Sequence, residues 1–433
     1  MKPNVIFILC DDLGYTDLGC YGGTTIPTPN LDTLAAGGMR FTQCYTGSSI
    51  CAPSRCVLNT GLHSGHCRVR DNFGIVGGVG DQKRVPLEPD DFTVAELFKS
   101  VGYTTGMTGK WGLGEPDTTG VPNRKGFDEW FGYLNQRRAH TYYPDFIWRN
   151  EEKIELPENE DEKKERYIHD EFVDFALDFI RDNKGGPFYL HIPWTLPHGK
   201  YEIPSVGEFA DREWTDDEKV YAAMVTKIDS QVGQIVDLLA ELGISEQTLI
   251  FFGSDHGSAR RWEVVFDSCG PLRGCKGDMY EGGLRTPMIV SWPGTISGNV
   301  VSEQVWYYAD FMPTVAEILG EELPIKPDGV SILPTLLGED QTEDTANRFL
   351  YWERHAGGGF KQAVRWRHWK AVRPPTDRLL DEPLELYDLD TDLGETTDVA
   401  DQHTEVIAEI QTYLEEARTP SKNYPIGVKS THG

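Results

Sequence analysis

The sequence predicts an α/β fold in which a mostly parallel central sheet is covered by helices on both faces. The first observation is an unbroken apolar run near the N-terminus, Asn4–Cys10, which is typical of a strand buried on both sides. The second is a repeated order of helix-like and strand-like segments, which favours parallel strands joined by helical crossovers. A chain of 433 residues is long enough for one large α/β domain and a smaller one.

The helix-like and strand-like segments alternate along the first 250 residues. The helix–strand pairs are 93–100 with 103–107, 167–182 with 188–192, and 221–242 with 249–252. In the last of these helices the apolar residues recur at helical spacing, so we expect that face to pack on the core. The residues of this face are Met224, Ile228, Val232, Ile235, Leu238 and Leu239.

The character of the chain changes after residue 338. An acidic, polar stretch at 339–347 is typical of a linker, and the segments that follow predict a small antiparallel sheet with one helix. The strand candidates are 348–354, 362–372 and 384–388, and the helix candidate is 405–417. We therefore divide the chain into an α/β domain of residues 1–340 and an α+β subdomain of residues 341–433.

Charge and composition exclude some classes of partner. A formal net charge of −28 disfavours binding to nucleic acid or to an anionic membrane. We expect no transmembrane segment and no signal peptide, because the first strand begins directly after Met1. Among the 8 cysteines, Cys269 and Cys275 flank a Gly-Pro loop, where a short disulfide is an alternative to two free thiols.

Two of the strand-like runs end in acidic residues. Asp11-Asp12 follow the first run directly, and Asp255-His256 follow the run 248–252 after a Gly-Ser step. Ligands of open parallel sheets bind at the carboxyl ends of the strands. Neighbouring carboxylates repel each other unless a cation lies between them, and oxygen ligands suit Ca²⁺ or Mg²⁺. One such pair alone fits a turn or a helix cap, but two strand ends of this kind predict a metal site.

Residues 51–61, CAPSRCVLNTG, carry the most specific motif. They match the C-x-P-S-R-x-x-L-x-T-G signature of type I sulfatases, a family of the alkaline phosphatase superfamily that the chain therefore resembles. In that family a dedicated enzyme oxidises the Cys to formylglycine, whose hydrated aldehyde attacks the ester sulfur with one hydroxyl and later expels sulfate with the other. Further matching blocks at 109–111, 281–287 and 385–389 extend the resemblance over essentially the whole chain and imply an alkaline-phosphatase-like fold.

The resemblance implies a role for each matching residue. Asp255 would accept the proton of the attacking hydroxyl, and His198, with Lys276, would protonate the leaving alkoxide. Cations would stabilise the charge that spreads over the sulfate oxygens in the transition state. The implied catalytic residues are Cys51, Arg55, Lys110, His198, Lys276 and Asp255. The implied ligands of a Ca²⁺ ion, with Mg²⁺ as the alternative, are Asp11, Asp12, modified Cys51, Asp255 and His256.

One departure from the family pattern concerns Gly112. Most relatives read G-K-W-H-L-G where this chain reads GKWGLG at 109–114, so the His that normally hydrogen-bonds the diol is missing. His63, His66 and His140 are candidates to replace it, and the sequence does not choose between them.

The resemblance implies a sulfated carbohydrate as substrate, of the marine polysaccharide or glycosaminoglycan type. Within the segment 136–143, Arg138 and His140 are candidate sugar contacts, and Trp194 is a third. A basic, aromatic patch at 365–370 either lines the cleft or forms an ordinary amphipathic strand. The expected protein partner is a formylglycine-generating or anaerobic sulfatase-maturating enzyme, and the expected location is periplasmic or secreted, with the signal peptide already removed.

Two other functions stay open at this point. Phosphodiesterases and phosphonate monoester hydrolases of the same superfamily share the C-x-P-x-R nucleophile, although they tend to use more His ligands than the one offered by His256. An inactive glycan-binding homologue would fit the substitution at Gly112, but such a protein would not need the other site residues.

Overall fold

The N-terminal strand β1 (Asn4–Cys10) forms the centre of the main sheet, and all 7 of its residues are buried. The computed structural model describes residues 2–80, 82–355, 359–376 and 382–426. In it, β1 pairs in parallel with strand Phe188–Pro193 on one side and strand Thr248–Ser254 on the other. The burial of both faces explains why the sequence of this strand does not alternate.

Eleven strands of the described residues belong to this sheet. They are β1, β2 (Met39–Tyr45), β3 (Thr104–Lys110), β4 (Glu129–Tyr133), β5 (Phe146–Arg149), β6 (Glu152–Glu155), β7 (Phe188–Pro193), β8 (Thr248–Ser254), β9 (Arg285–Ser291), β10 (Val300–Ser302) and β11 (Trp306–Tyr307). Their order is β10-β2-β9-β8-β1-β7-β3-β4-β5-β6, with β11 paired to β2. The neighbours β8, β1, β7, β3 and β4 are all parallel, whereas β9, β5 and β6 pair antiparallel with their neighbours.

Helices cover both faces of the sheet, as the sequence predicts. The helices are α1 (Pro29–Ala36), α2 (Cys51–Thr60), α3 (Val94–Ser100), α4 (Ile168–Asn183), α5 (Asp216–Glu241), α6 (Glu281–Leu284), α7 (Phe311–Leu319), α8 (Leu333–Leu336), α9 (Glu343–Asn347) and α10 (Thr404–Glu416). Helix α5 begins five residues before the predicted start because Thr215 and Glu218 form a capping box. No helix in the described part of the chain is long and apolar enough to cross a membrane.

Alternate side chains of β1 enter two separate cores, one on each side of the sheet. Phe7 and Leu9 belong to a core that includes residues of α2, α3 and α7. Ile6 and Ile8 belong to a second core with residues of α1, α4 and α5. Because neighbouring residues of a strand point to opposite faces, a strand that is apolar throughout needs this cover on both sides. The predicted fold class is confirmed.

The C-terminal part contains a second, antiparallel sheet. Its strands, in spatial order, are β12 (Phe349–Arg354), β13 (Phe360–Trp366), β14 (Trp369–Thr376) and β15 (Glu385–Asp388). Leu350 and Trp352 of this sheet pack on the main core, while Tyr351 packs with Ile410 of α10. The sheet and helix were predicted, whereas the division of the chain at residue 340 stays a prediction.

Two details of the C-terminal prediction were wrong. The segment 362–372 is not one strand, because the chain turns at Arg367, whose φ is +57°, and β13 and β14 form a hairpin. The expected linker 339–347 contains the short helix α9, whose N-terminus is capped by the Thr342 side chain.

Candidate active site

The ends of β1 and β8 bring the acidic residues together. The two strands are adjacent and in register, with Cys10 opposite Ser254, so Asp11-Asp12 and Asp255-His256 leave the sheet side by side. The Asp255 amide donates to the Cys10 carbonyl at 2.9 Å, and the Asp12 amide donates to Asp255 Oδ1 at 3.4 Å. All four of these side chains are buried, so the metal-type donors converge inside the protein.

Cys51 is the first residue of α2 and is only 2% exposed. Its Sγ lies 3.6 Å from Asp11 Oδ1 and 3.3 Å from His256 Nε2. The next backbone amide, that of Ala52, donates to Asn72 Oδ1 at 3.0 Å and so fixes the start of the helix. No sequence motif marks Asn72, which lies on an irregular loop 20 residues after its partner Ala52.

Three cations pair with the acids around Cys51. Arg55, one helical turn after Cys51, donates from Nε and Nη2 to Asp255 Oδ2 at 3.0 and 2.8 Å. Lys110, at the end of β3, places Nζ 2.5 Å from Asp11 Oδ2, and Lys276 places Nζ 2.6 Å from Asp12 Oδ1. We call this group the strand-end cluster. Its members are Asp11, Asp12, Cys51, Arg55, Lys110, Asp255, His256 and Lys276.

Burial and pairing shift the ionisation of the cluster in opposite directions. Burial would raise the pKa of Asp11, but Lys110 and His198 hold it well below its usual range. For Asp255, burial and then the charge of Asp11 raise the pKa. Burial opposes a charge on His256, yet Asp255 and Cys51 raise its pKa to about 9. Like charges are thus forced together, which is a physical mark of a functional site.

Two stacked histidines close one side of the cluster. His198 Nε2 lies 3.6 Å from Asp12 Oδ2, and its ring stacks on His140 with centroids 3.7 Å apart. The Nδ1 of His198 hydrogen-bonds the Gly199 carbonyl, which leaves Nε2 directed at the site. Burial and then the charge of Lys276 hold the pKa of His198 well below its usual range.

The donor set fits a hard divalent cation. Ligand atoms of Asp11, Cys51, Asp255 and His256 all lie within 4.8 Å of one another. The same limit holds for Asp11, Asp12, Cys51 and His198. Such separations suit ligands of one ion, since oxygen ligands of Ca²⁺ lie about 2.3–2.6 Å from the metal. His198 is 13% exposed and lies at the rim, which suits a substrate contact better than a ligand.

Comparison with known proteins gives the family. The sequence model of the sulfatase family matches residues 3–321. The chain belongs to the sulfatase family. A second model, for the C-terminal part of N-sulphoglucosamine sulphohydrolase, matches residues 275–420.

Individual relatives agree with this assignment. The chain is 34% identical over 369 residues to N-acetylgalactosamine-6-sulfatase of Canis lupus familiaris, a match that covers 79% of this chain and 67% of that protein. It is 34% identical over 358 residues to arylsulfatase A of Homo sapiens, which covers 78% of this chain and 68% of that protein. The solved structure of Ps i-CgsB in complex with k-i-k-neocarrahexaose aligns with a TM-score of 0.84 at 27% identity, over 100% of this chain and 96% of that one. The chain is therefore a sulfuric ester hydrolase by family.

Two predicted sugar contacts of this sulfatase lie apart from the strand-end cluster. Trp194 is fully buried against His169, with ring centroids 5.4 Å apart, and has no face open to a sugar. Arg138 pairs with Asp145 and covers the ring of Phe146. It lines a separate cavity of about 650 Å³.

Two basic side chains of the patch 365–370 make contacts inside the protein. Arg365 is buried and donates to the Tyr45 hydroxyl, while Lys370 is buried with Nζ 2.8 Å from Glu281 Oε1. Within the described residues, the thiols of Cys269 and Cys275 are free and form no disulfide.

The structure distinguishes between the three histidines that are candidates to replace the His missing at position 112. His66 Nδ1 lies 2.9 Å from Asp328 Oδ1, and His63 stacks on His66 at 4.1 Å. The charges that act on His63, those of Asp328, Glu353 and Arg70, all lie outside the strand-end cluster. His140 alone contacts a predicted catalytic residue, His198. Gln136, the first residue of the candidate sugar-contact segment 136–143, fills the space beside Gly112.

Arg84 is a further residue that the sequence did not reveal. Its guanidinium is partly buried, and burial lowers its pKa against the opposing charges of Glu115 and Cys51. Its Nε has no hydrogen-bond partner among the described residues. Arg84 donates from Nη1 to the carbonyl of Asn72, whose side chain binds the Ala52 amide, and it lies in a Gly-rich loop with no motif. Only the fold therefore connects it with the start of α2.

Proposed function

We propose that this sulfatase hydrolyses sulfate esters on a carbohydrate, with residue 51 acting after its conversion to formylglycine. The observation that carries the proposal is the position of Cys51, buried at the start of α2 between Asp11 and His256. In modified form this residue would supply two hydroxyl groups, one to attack the sulfur and one to expel the sulfate afterwards. No unmodified side chain offers that second hydroxyl.

The cations of the strand-end cluster are placed to bind the sulfate group. Asp255 holds Arg55, Asp11 holds Lys110, and Asp12 holds Lys276. Fixed positive groups in a buried site stabilise negative charge that develops on the equatorial oxygens. We assign the proton of the attacking hydroxyl to Asp255, and the proton given to the leaving alkoxide to His198 with Lys276. Because burial lowers the pKa of His198, whereas for Lys276 the effect of burial is outweighed by Asp12, which raises the pKa, Lys276 is the member of this pair that holds the proton.

A divalent ion, Ca²⁺ with Mg²⁺ as the alternative, would be held by Asp11, Asp12, Asp255, His256 and residue 51. The support is the convergence of these donor atoms and the oxygen-rich character of the set. Such an ion supplies a Lewis acid and a template for the sulfate group.

The proposed substrate is a short sulfated oligosaccharide. N-acetylgalactosamine-6-sulfatase is among the relatives, and the similar structure of Ps i-CgsB contains a neocarrahexaose. Of the predicted sugar contacts, His140 is retained at the site, and Arg138 is proposed for a more distant sugar through the cavity that it lines. The net charge of −28 opposes non-specific adhesion to long polyanions, so recognition would rest on this local pocket.

The maturing enzyme would act on the unfolded chain. Cys51 is 2% exposed in the folded protein, so a second enzyme has no access to its thiol there. We propose a formylglycine-generating or anaerobic sulfatase-maturating enzyme as this partner, and a periplasmic or secreted location for the folded protein.

The test is sulfate release from a panel of sulfated oligosaccharides, run beside bis(4-nitrophenyl) phosphate. The Cys51→Ala variant is the control for contaminating activity. We expect sulfate release that the variant lacks. Hydrolysis of the phosphate diester without sulfate release would support the phosphodiesterase alternative instead, and binding of oligosaccharides without release of either product would support a glycan-binding protein.

A further inference from the structure

The side chain of Gln136 occupies the space that a side chain at position 112 would need. Gly112 has φ of +80°, and a Cβ built on it would lie 1.6 Å from Gln136 Nε2 and 2.5 Å from Gln136 Cδ. A side chain at residue 112 and the amide of Gln136 are therefore mutually exclusive. Gly112 follows Lys110 by two residues, so the amide lies beside the strand end that carries a cation of the cluster.

The amide of Gln136 is buried without a partner. Gln136 is 2% exposed, and neither Nε2 nor Oε1 has a hydrogen-bond partner among the described residues. A primary amide offers two donors and two acceptor positions, and burying all of them unpaired costs free energy that natural proteins rarely leave uncompensated. A group from outside the chain is the partner that this arrangement calls for.

The loop that carries Gln136 is held rigidly against the site. The Gly112 amide donates to the Leu134 carbonyl at 3.0 Å. Asn135 donates to Glu115 Oε1 at 2.7 Å, and four residues after Gln136 the ring of His140 stacks on His198. The same loop thus connects the end of β3 with the histidine that faces Asp12.

The groups around this loop indicate which kind of ligand the Gln136 amide binds. The stack of His140 on His198, whose Nε2 lies 3.6 Å from Asp12 Oδ2, places the loop beside the strand-end cluster. His140 Nε2 also has no hydrogen-bond partner among the described residues. Two unpaired polar groups therefore lie on one loop that packs against Gly112, two residues after Lys110, and against His198, a setting that suits an oxyanion with several acceptor atoms.

We propose that Gln136 is a substrate-contacting residue, whose Nε2–H donates to an oxygen of the reacting sulfate group. The inference rests on the proposed function, because it names a further contact of the same site. Since an amide neither gains nor loses a proton near neutral pH, Gln136 orients the sulfate group and does not act as a base. Gly112 is then required because any side chain there would displace the amide.

The decisive variant is Gln136→Met, which nearly preserves the volume of the side chain and removes its hydrogen bonds. With 4-nitrophenyl sulfate we expect kcat/KM to fall about 10- to 100-fold, the range for loss of a hydrogen bond to a charged group. Arg137→Ala, an exposed neighbour on the same loop, is the matched control and should stay within about twofold of the wild type.

A double-mutant cycle tests whether a side chain at position 112 and the Gln136 amide compete for the same space. Gly112→Ala should reproduce the loss seen in Gln136→Met, and the double variant should be no worse than either single one, because both remove the same contact. Additive losses would show that the two positions act separately and would overturn the inference. A Gln136→Met enzyme with wild-type kcat/KM would overturn it as well.

Binding of inorganic sulfate separates this inference from the proposed function. Calorimetry on the Cys51→Ala protein measures the contact without turnover, and Gln136→Met in that background should weaken sulfate binding about 10-fold or more. If the wild type releases no sulfate from esters but sulfate binding shows this loss, the proposed function fails and the inference stands. Unchanged sulfate binding would overturn the inference whatever the turnover.

Discussion

Two buried clusters of charged residues in this protein differ in how their carboxylates are paired. In one, the Glu353 cluster, a single carboxylate that is 0% exposed accepts from Arg70, Arg418, His355 and Tyr351 at 2.8–3.2 Å. In the strand-end cluster, ligand atoms of Asp11 and Cys51 lie within 4.8 Å of a second carboxylate on each side, Asp12 in one set and Asp255 in another. The carboxylates of both clusters are buried.

The difference shows that buried charge alone does not mark an active site. Glu353 is satisfied by donors from the subdomain and from the loop before residue 71, so it joins two parts of the fold. Like charges forced together, as at the strand ends, cost stability and persist where function needs them. Changes at the Glu353 cluster should therefore lower stability alone, whereas changes at the strand-end cluster should lower activity.

The largest expected effect on stability comes from Glu353→Gln. The variant leaves Arg70 and Arg418 without their anion, and loss of one partner of a buried ion pair costs about 3–5 kcal/mol. Urea unfolding should show this loss in the free energy of unfolding, while the folded fraction keeps the wild-type kcat. The exposed Glu322→Gln should change stability by less than about 0.5 kcal/mol.

The matching change in the strand-end cluster is Lys110→Met. We expect kcat for sulfate release to fall about 10²–10³-fold in the folded protein, as when a preorganised charge-stabilising group is removed. The variant should also lose stability, because Asp11 loses its partner in a buried ion pair. Lys125→Met is the control, because Lys125 is also buried and pairs with Glu96 at 3.2 Å, but outside the site. Equal losses of kcat in both variants would show that burial of a lysine, and not its place in the site, is what matters.

Removal of the metal should affect only the strand-end cluster. After treatment with a chelator we expect sulfate release to disappear and to return with Ca²⁺. An ion present at 100 times its Kd contributes about 2.7 kcal/mol of stability, which a thermal melt detects. Full activity after chelation, with residual metal measured by mass spectrometry, would contradict the proposed ion.

The smallest effect is the pH dependence of the Glu353 cluster. Burial opposes ionisation of Glu353, but His355 and Arg70 hold its pKa well below the ordinary value of 4.5. A lowered folded-state pKa gives stability that is present above the unfolded pKa and is lost as the pH falls below it. Between pH 7 and pH 3 the wild type should therefore lose more unfolding free energy than Glu353→Gln does. Parallel losses would show that other groups carry the acid sensitivity.

The sequence predicted the parts of the fold that depend on local pattern. The apolar run at β1 and the helix–strand alternation gave the buried parallel sheet, because full burial removes the alternation of a half-exposed strand. The hairpin at Arg367 was missed, since a turn residue with positive φ that is not Gly gives no composition signal.

The candidate site was predictable where its residues lie in motifs and not where the fold alone assembles it. Asp11, Cys51 and Lys110 sit in recognisable blocks, and the structure brings them together. Asn72 and Gln136 contact the site through partners 20 or more residues away, on loops without a motif. Trp194 was predicted as a sugar contact but is buried, because an aromatic residue after a strand gives the same sequence pattern in either position.

The most direct test of the central claim is mass spectrometry of the peptide that contains residue 51, combined with sulfate release from the same preparations. Expression with and without a maturing enzyme would vary the fraction of residue 51 that carries the aldehyde. We predict that sulfate release rises in proportion to this fraction and is absent where residue 51 is still a thiol. Sulfate release that does not depend on the converted fraction would contradict the role given to residue 51.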